Sequence, residues 1–321
     1  MLLTGASGFV GRRLAPALAA AGVVVRCVSR DAERAARRWP EQTWVSADLA
    51  HPDDLARALD GCRQAYYLVH SMAEPGVDFG AREVRLARAF AAAAAEAGLE
   101  RIIYLGGVAP QGPPSDHLRS RLEVGAALRA GPVPTLELRA AMIVGSGSIS
   151  WLIVRDLAAR LPAMVLPRWL RSRSQPVAVD DVITALTRAR QVPLPISASY
   201  DLPGPDLLTG RAILARTARA LGRRPPIMVE LPVLTPALSS HWIRLVTRAD
   251  WSVARELVLG LTHDLVARDD RFWALIQHPD RLSFAMAARR ALEADERASH
   301  MATPARALEA AVARLTRPRR R

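Results

Sequence analysis

Apolar positions along the first 145 residues fall into two alternating patterns. Short runs of branched and aromatic residues, too continuous for a half-exposed strand, occur at Leu2–Thr4, Val23–Val28, Thr43–Ser46, Ala65–Val69, Arg101–Leu105 and Thr135–Leu138. Between them lie longer alanine-, leucine- and arginine-rich stretches with helical spacing, at Phe9–Ala21, Ala32–Trp39, Asp53–Leu59, Gly80–Ala97 and Ser115–Ala130. Strands apolar on both faces, alternating with helices, predict a parallel sheet covered on each side. Right-handed crossovers then make it an α/β, doubly wound Rossmann sheet, with ligands outside the carboxyl ends of the strands. Pro16 lies within the first helical stretch and predicts a kink near Arg12.

Beyond residue 150 the pattern loosens. Prolines crowd 162–176, 193–205 and 225–236, and helical stretches at Asp181–Ala189, Leu208–Leu221 and Trp251–Leu261 are joined irregularly. The expected organisation is a dinucleotide-binding domain over 1–150, then a smaller, mostly helical lobe over 151–284 interleaved with it. A basic helical tail follows over 285–321.

The turn after the first strand reads Thr4-Gly5-Ala6-Ser7-Gly8-Phe9-Val10-Gly11. Glycines so spaced permit a tight turn, a close approach of backbone amides to a pyrophosphate and close helix–sheet packing. The helix that follows points its positive end at the phosphates. Ala6, Ser7, Phe9 and Val10 belong to that cradle with Gly5, Gly8 and Gly11. At the end of the second strand, where a carboxylate would take the ribose hydroxyls of NAD, stands Arg30. An arginine there favours the 2′-phosphate of NADP, so NADP is the expected cofactor and NAD the second choice. Asp48 and Leu49, after the third strand, are expected beside the adenine, with Asp48 alternatively capping the helix after Pro52.

The composition changes this picture little. The formal charge is +13, yet the chain has no lysine and no asparagine, and its arginines are scattered apart from Arg317, Arg319, Arg320 and Arg321. Arginine spread over ordinary surface positions argues against a nucleic-acid groove. The tryptophans are not interleaved with basic runs as base-stacking residues would be, and read as core of the second lobe. Cys27 and Cys62 form neither a disulfide framework nor a metal motif, and Asp180 and Asp181 suit a helix N-terminus. The longest uncharged run, Ala140–Val154, falls short of a membrane span, and no signal peptide is evident, so a cytoplasmic protein is expected.

Further segments carry a family resemblance. They are Tyr67-Leu68-Val69-His70-Ser71-Met72, Ser115-Asp116-His117-Leu118-Arg119-Ser120-Arg121, the stretch from Glu137 to Gly145, Val177 to Val182, and Tyr200 to Pro205. With the glycine turn, they make the chain resemble the atypical and extended short-chain dehydrogenase/reductase superfamily. Within it, the chain is similar to the bacterial NAD(P)H-binding branch related to NmrA-like regulators and to the Rossmann accessory subunit of respiratory complex I. The resemblance implies that Leu68, Val69 and His70 line the nicotinamide side of the cleft. It also implies a Tyr-x-x-x-Lys pair with a nearby serine, and here the chain departs. The pair's register reads His117-x-x-x-Arg121, and the serine position reads Gly106-Gly107. Arg121 can hold ribose hydroxyls but cannot titrate, and His117 is either a general acid or an ordinary helix residue. Three functions remain open: an NADP(H)-dependent reductase of a small carbonyl or quinone-like compound, a dinucleotide-binding redox sensor that signals through a protein partner, and a structural subunit of an assembly.

Overall fold

The computed structural model describes residues 1–69, 79–161, 163–166, 171–230 and 263–298. Seven parallel strands form the central sheet: β1 (Leu2–Leu3), β2 (Arg26–Ser29), β3 (Thr43–Ser46), β4 (Gln64–Tyr67), β5 (Arg101–Gly107), β6 (Thr135–Ala140) and β11 (Ala198–Asp201). Their order is β11-β6-β5-β4-β1-β2-β3. The doubly wound Rossmann expectation is thus met, with the order reversing at β1 and β4. β1 is only two residues long, but both leucines are fully buried and pair with β2 on one side and β4 on the other.

Period-two alternation explains the core. Leu3, Tyr66, Ile103 and Leu136 face α1 (Gly11–Ala20) and α7 (Val179–Ala189), joined there by Leu14, Leu18, Val182 and Leu186. Their neighbours Leu2, Tyr67 and Ile102 point the other way. They pack on α3 (Pro52–Leu59), α4 (Phe79–Glu96) and α5 (Asp116–Arg129) through Leu55, Phe90 and Val124. α2 (Ala32–Arg38) connects β2 to β3. α1 runs through Pro16, and Pro16, having no N–H, makes no bond back to the Arg12 carbonyl.

The sheet draws its edge strand from beyond residue 150, since β11 pairs with β6 in parallel register from Ala198↔Leu136 to Asp201↔Arg139. Around it lie β7 (Ile143–Val144), α6 (Ile149–Arg160), β8 (Ala163–Leu166), β9 (Arg173–Ser174), β10 (Val177–Ala178), β12 (Leu208–Thr209), α8 (Gly210–Ala220), β13 (Ile227–Glu230), α9 (Arg271–Leu275) and a helix over 284–298, α10. A separate apolar cluster holds this lobe together, with Trp151, Ile213, Phe284 and Ala288 at its centre. Trp151 and Trp273 are buried, as expected of core residues. Trp169, Trp242, Trp251, the helix expected at Trp251–Leu261 and the arginine-rich end of the tail lie outside the described residues. Cys27 and Cys62 are buried free thiols.

Candidate functional site at the carboxyl ends of the strands

Thr4 fixes where the glycine turn begins. Its amide and its hydroxyl both donate to the Tyr66 carbonyl, at 3.1 and 2.9 Å, and the hydroxyl accepts the Leu68 amide at 3.1 Å. The exits of β1 and β4 are thereby pinned together. Gly5 then takes a left-handed φ of +63°, and a Cβ there would stand 2.4 Å from the Leu68 carbonyl oxygen. The Gly8 amide closes the turn onto the Gly5 carbonyl at 3.0 Å. A Cβ on Gly11 would lie 2.2 Å from that same carbonyl oxygen, so the helix can start this close to the turn only on a glycine.

Asp31, Ser115, Ser148 and Thr209 cap α2, α5, α6 and α8 by accepting a main-chain amide. The start of α1, at Val10, has neither a side-chain cap nor an acid, whereas α3 and α7, also without a side-chain cap, carry Asp53 and Asp54 or Asp180 and Asp181 in the first turn. The amides of Ser7, Phe9 and Val10 find no backbone acceptor among the described residues. Open amides at the positive end of a helix suit an anion, and the residues present fit a dinucleotide pyrophosphate.

Arg30 is exposed directly after β2, its carbonyl accepting the Ser46 hydroxyl at 3.3 Å. The neighbouring acid, Asp31, is already spent on the Arg34 amide at 2.9 Å. Asp48 and buried Leu49 follow β3 as expected, but Asp48 does not cap the next helix. Its carboxylate accepts the Ala50 amide at 3.0 Å, its own amide donates to Asp54, and α3 starts after His51. The cap position falls on His51, three residues after Asp48, and leaves the Asp48 side chain too far upstream to serve the amides of the second and third helical residues. Leu68 and Val69 are half-buried at the end of β4, and His70 lies outside the described residues.

At the end of β5 the serine position is crowded, and a side chain there would have to displace Glu137 or Leu118. A Cβ on Gly106 would meet the Glu137 carboxylate at 2.7 Å, and one on Gly107 would meet Leu118 Cδ1 at 2.6 Å. His117 and Arg121 stand one turn apart on α5, beside this strand end. Arg121 donates through Nη2 to the Leu105 carbonyl at 2.8 Å, and its own carbonyl accepts the Tyr104 hydroxyl at 3.0 Å. Its Nε is buried and finds no acceptor among the described residues. Burial, and then the Arg121 charge, push the His117 imidazole down to about 4. Both effects favour the neutral ring at neutral pH, and a neutral imidazole can still donate or accept a hydrogen bond.

Two arrangements had no signal in the sequence. Arg13 bridges the Phe9 and Ser146 carbonyls, 133 residues apart in the second case. Asp181, expected only to suit a helix dipole, is buried and accepts from the Leu282 amide at 2.9 Å, with His278 Nε2 also at 2.9 Å. A groove of about 1210 Å³ runs between α4 and α5, but the glycine turn is not part of it.

An uncapped, glycine-cradled helix at the switch point of a parallel sheet defines a dinucleotide-binding Rossmann protein. The NAD(P)H-binding family matches residues 5–158. The chain belongs to the NAD(P)H-binding family, together with relatives named as reductases. It is 30% identical over 233 residues to the (4-alkanoyl-5-oxo-2,5-dihydrofuran-3-yl)methyl phosphate reductase of Streptomyces griseus subsp. griseus, covering 70% of this chain and 74% of the relative. It is 31% identical over 252 residues to the ceramide reductase of Caulobacter vibrioides, covering 76% and 78% respectively. The crystal structure of Citrobacter sp. triphenylmethane reductase complexed with NADP(H) superposes with a TM-score of 0.70 at 17% identity, over 90% of this chain and 99% of that one. That likeness shows the fold alone. Among the described residues no helix is long and apolar enough to cross a membrane, and no acidic, histidine or cysteine cluster could hold a metal.

Proposed function

We propose that this protein is an NADPH-dependent reductase of a carbonyl compound, working without the Tyr-x-x-x-Lys pair. The observation that carries the reading is the uncapped start of α1, where Gly5, Gly8 and Gly11 leave main-chain amides open to a pyrophosphate. Arg30 supports the choice of NADPH, because an exposed arginine stands directly after β2 where a carboxylate would take the ribose hydroxyls of NAD. Two relatives named as reductases, one of them acting on an alkanoyl-bearing compound, support reduction of an acyl-bearing substrate.

A bound reduced nicotinamide would supply the hydride for a polarised carbon. The chain's own part is to hold and orient. Ser7, Phe9 and Val10 offer amides to the pyrophosphate, with Ala6 packed beneath and Asp48 and Leu49 flanking the adenine. Leu68 and Val69 wall the nicotinamide side, as His70 is expected to do. Arg121 offers its unpaired Nε to a ribose hydroxyl. His117, neutral at pH 7, holds the carbonyl oxygen as a hydrogen-bond donor, and the proton that the oxygen takes up comes from water.

The neutral His117 and the missing tyrosine also favour a second reading, a redox sensor or assembly subunit that binds the dinucleotide without turnover. One experiment separates the two. Purified protein is titrated with NADPH and NADH, then mixed with NADPH and a panel of acyl-bearing ketones, aldehydes and quinones. The reductase reading expects micromolar NADPH binding and substrate-dependent loss of NADPH absorbance. Binding with no oxidation across the panel supports the sensor, and no binding below about 1 mM sinks both.

A further inference from the structure

The glycine turn is held from outside by one side chain. Arg13, at the third position of α1, donates through Nη1 to the Phe9 carbonyl at 2.9 Å and through Nη2 to the Ser146 carbonyl at 2.5 Å. Its guanidinium also lies over the Phe9 ring, 4.6 Å from the centroid. Phe9 is thus fixed by backbone and by side chain at the point where its amide must face a phosphate. Ser146 follows β7, whose partner β10 runs directly into α7, so the same ladder brings Asp180 to this place.

The charges continue to the end of the described chain. Asp180 pairs with Arg290 of α10 at 2.8 Å. Asp295, five residues further along α10, accepts from Arg155 at 2.6 Å and from the Trp151 indole at 3.3 Å. Burial and the adjacent Arg12 disfavour the charge on Arg13, while Asp180 and Asp295 favour it. A cavity of about 90 Å³ lies among Arg13, Ser146, Asp180, Arg290 and Ala294. Arg13 and Arg290 thus line the same small cavity, with no hydrogen bond or ion pair between Arg13 and Asp180 or Asp295 among the described residues.

We propose that Arg13 is a positioning residue for the dinucleotide, holding the Phe9 amide toward the pyrophosphate and coupling the turn to α10 across the small cavity it shares with Asp180 and Arg290. The inference rests on the reading that this turn binds the pyrophosphate. Two carbonyls and a ring, held by one planar fork, are a geometry a lysine cannot reproduce in full.

The test uses the full chain and NADPH, with binding read by nucleotide fluorescence and folding by thermal melting. Arg13→Ala is expected to weaken NADPH binding about tenfold or more, with Arg13→Lys recovering part of the loss. Arg290→Ala, which touches no part of the turn, is expected to weaken binding two- to fivefold. A lowered melting temperature with affinity within twofold of the parent, in Arg13→Ala and Arg13→Lys alike, overturns the positioning role and leaves a structural one. Unchanged affinity in Arg290→Ala overturns the coupling to α10. Should Arg13→Ala not fold, Arg13→Lys decides, since affinity within twofold of the parent overturns the role. Failure of the parent protein to bind NADPH refutes the reading of the turn itself, an outcome distinct from these.

Discussion

Gly5→Ala perturbs the turn at its most constrained point. Gly5 needs φ of +63°, and an added methyl would begin 2.4 Å from the Leu68 carbonyl oxygen. The left-handed conformation costs a non-glycine residue about 1–2 kcal/mol. The clash cannot be relieved by a side-chain rotation, because the obstacle is main chain pinned by Thr4, so overpacking of about 1–3 kcal/mol adds to it. The sum is about 2–5 kcal/mol. With an unfolding entropy of about 2.1 cal/mol/K per residue, that lowers the melting temperature by roughly 3–7 °C. Gly22→Ala is the internal control. Its φ is +74°, but nothing lies within 4 Å of the added methyl, so only the conformational cost of about 1–2 kcal/mol remains. Both variants are melted with and without NADPH. Gly5→Ala should lose more stability than Gly22→Ala and bind NADPH about tenfold more weakly or worse, since relief of the clash must move the cradle. Equal melting temperatures with unchanged NADPH affinity in both would refute the argument.

Two other expectations follow from the same site. Arg30→Asp should shift the NADPH/NADH affinity ratio about tenfold or more toward NADH, because it replaces a phosphate partner with a ribose-hydroxyl acceptor, and an unchanged ratio removes Arg30 from the 2′-phosphate. For His117, the imidazole titrates near 6.5 when unfolded and near 4 in the fold, so between these values the unfolded chain binds more protons. The stability from this site is full above pH 6.5 and falls as pH drops toward 4, by at most about 3 kcal/mol. His117→Gln should flatten that part of the pH–stability curve measured by urea unfolding, and an unaltered slope would show that the ring is not held neutral.

The alternation of apolar strand and helical stretch was enough to specify the parallel sheet, because both signals are local and the strands are buried on both faces. Gly5, Gly8 and Gly11 were legible for a similar reason: one short segment carries the whole turn, and at Gly5 and Gly11 the main chain leaves no space for a side chain. The missing Tyr-x-x-x-Lys pair was equally plain in a chain without lysine.

Contacts across long separations were hidden. The strand β11 enters the sheet from the second lobe, and its place beside β6 depends on tertiary pairing. Which of the two open roles of Asp48 fails was also hidden, because only the folded chain shows that α3 starts after His51 and that the Asp48 carboxylate turns to the Ala50 amide. The neutral state of His117 was illegible too, since a ring's protonation follows from how deeply the fold buries it and which charge stands near. Arg13 shows the division most clearly. Its step to Phe9 is one helical turn and visible in principle, but its hold on Ser146 and its field from Asp180 and Asp295 exist only once β7, α7 and α10 converge. The sequence by itself determined the architecture and the glycine turn that opens α1, through periodicity and backbone permissiveness. Only the tertiary structure decided which side chains are spent and which donors remain free, because hydrogen bonds and burial are settled between segments distant in the chain.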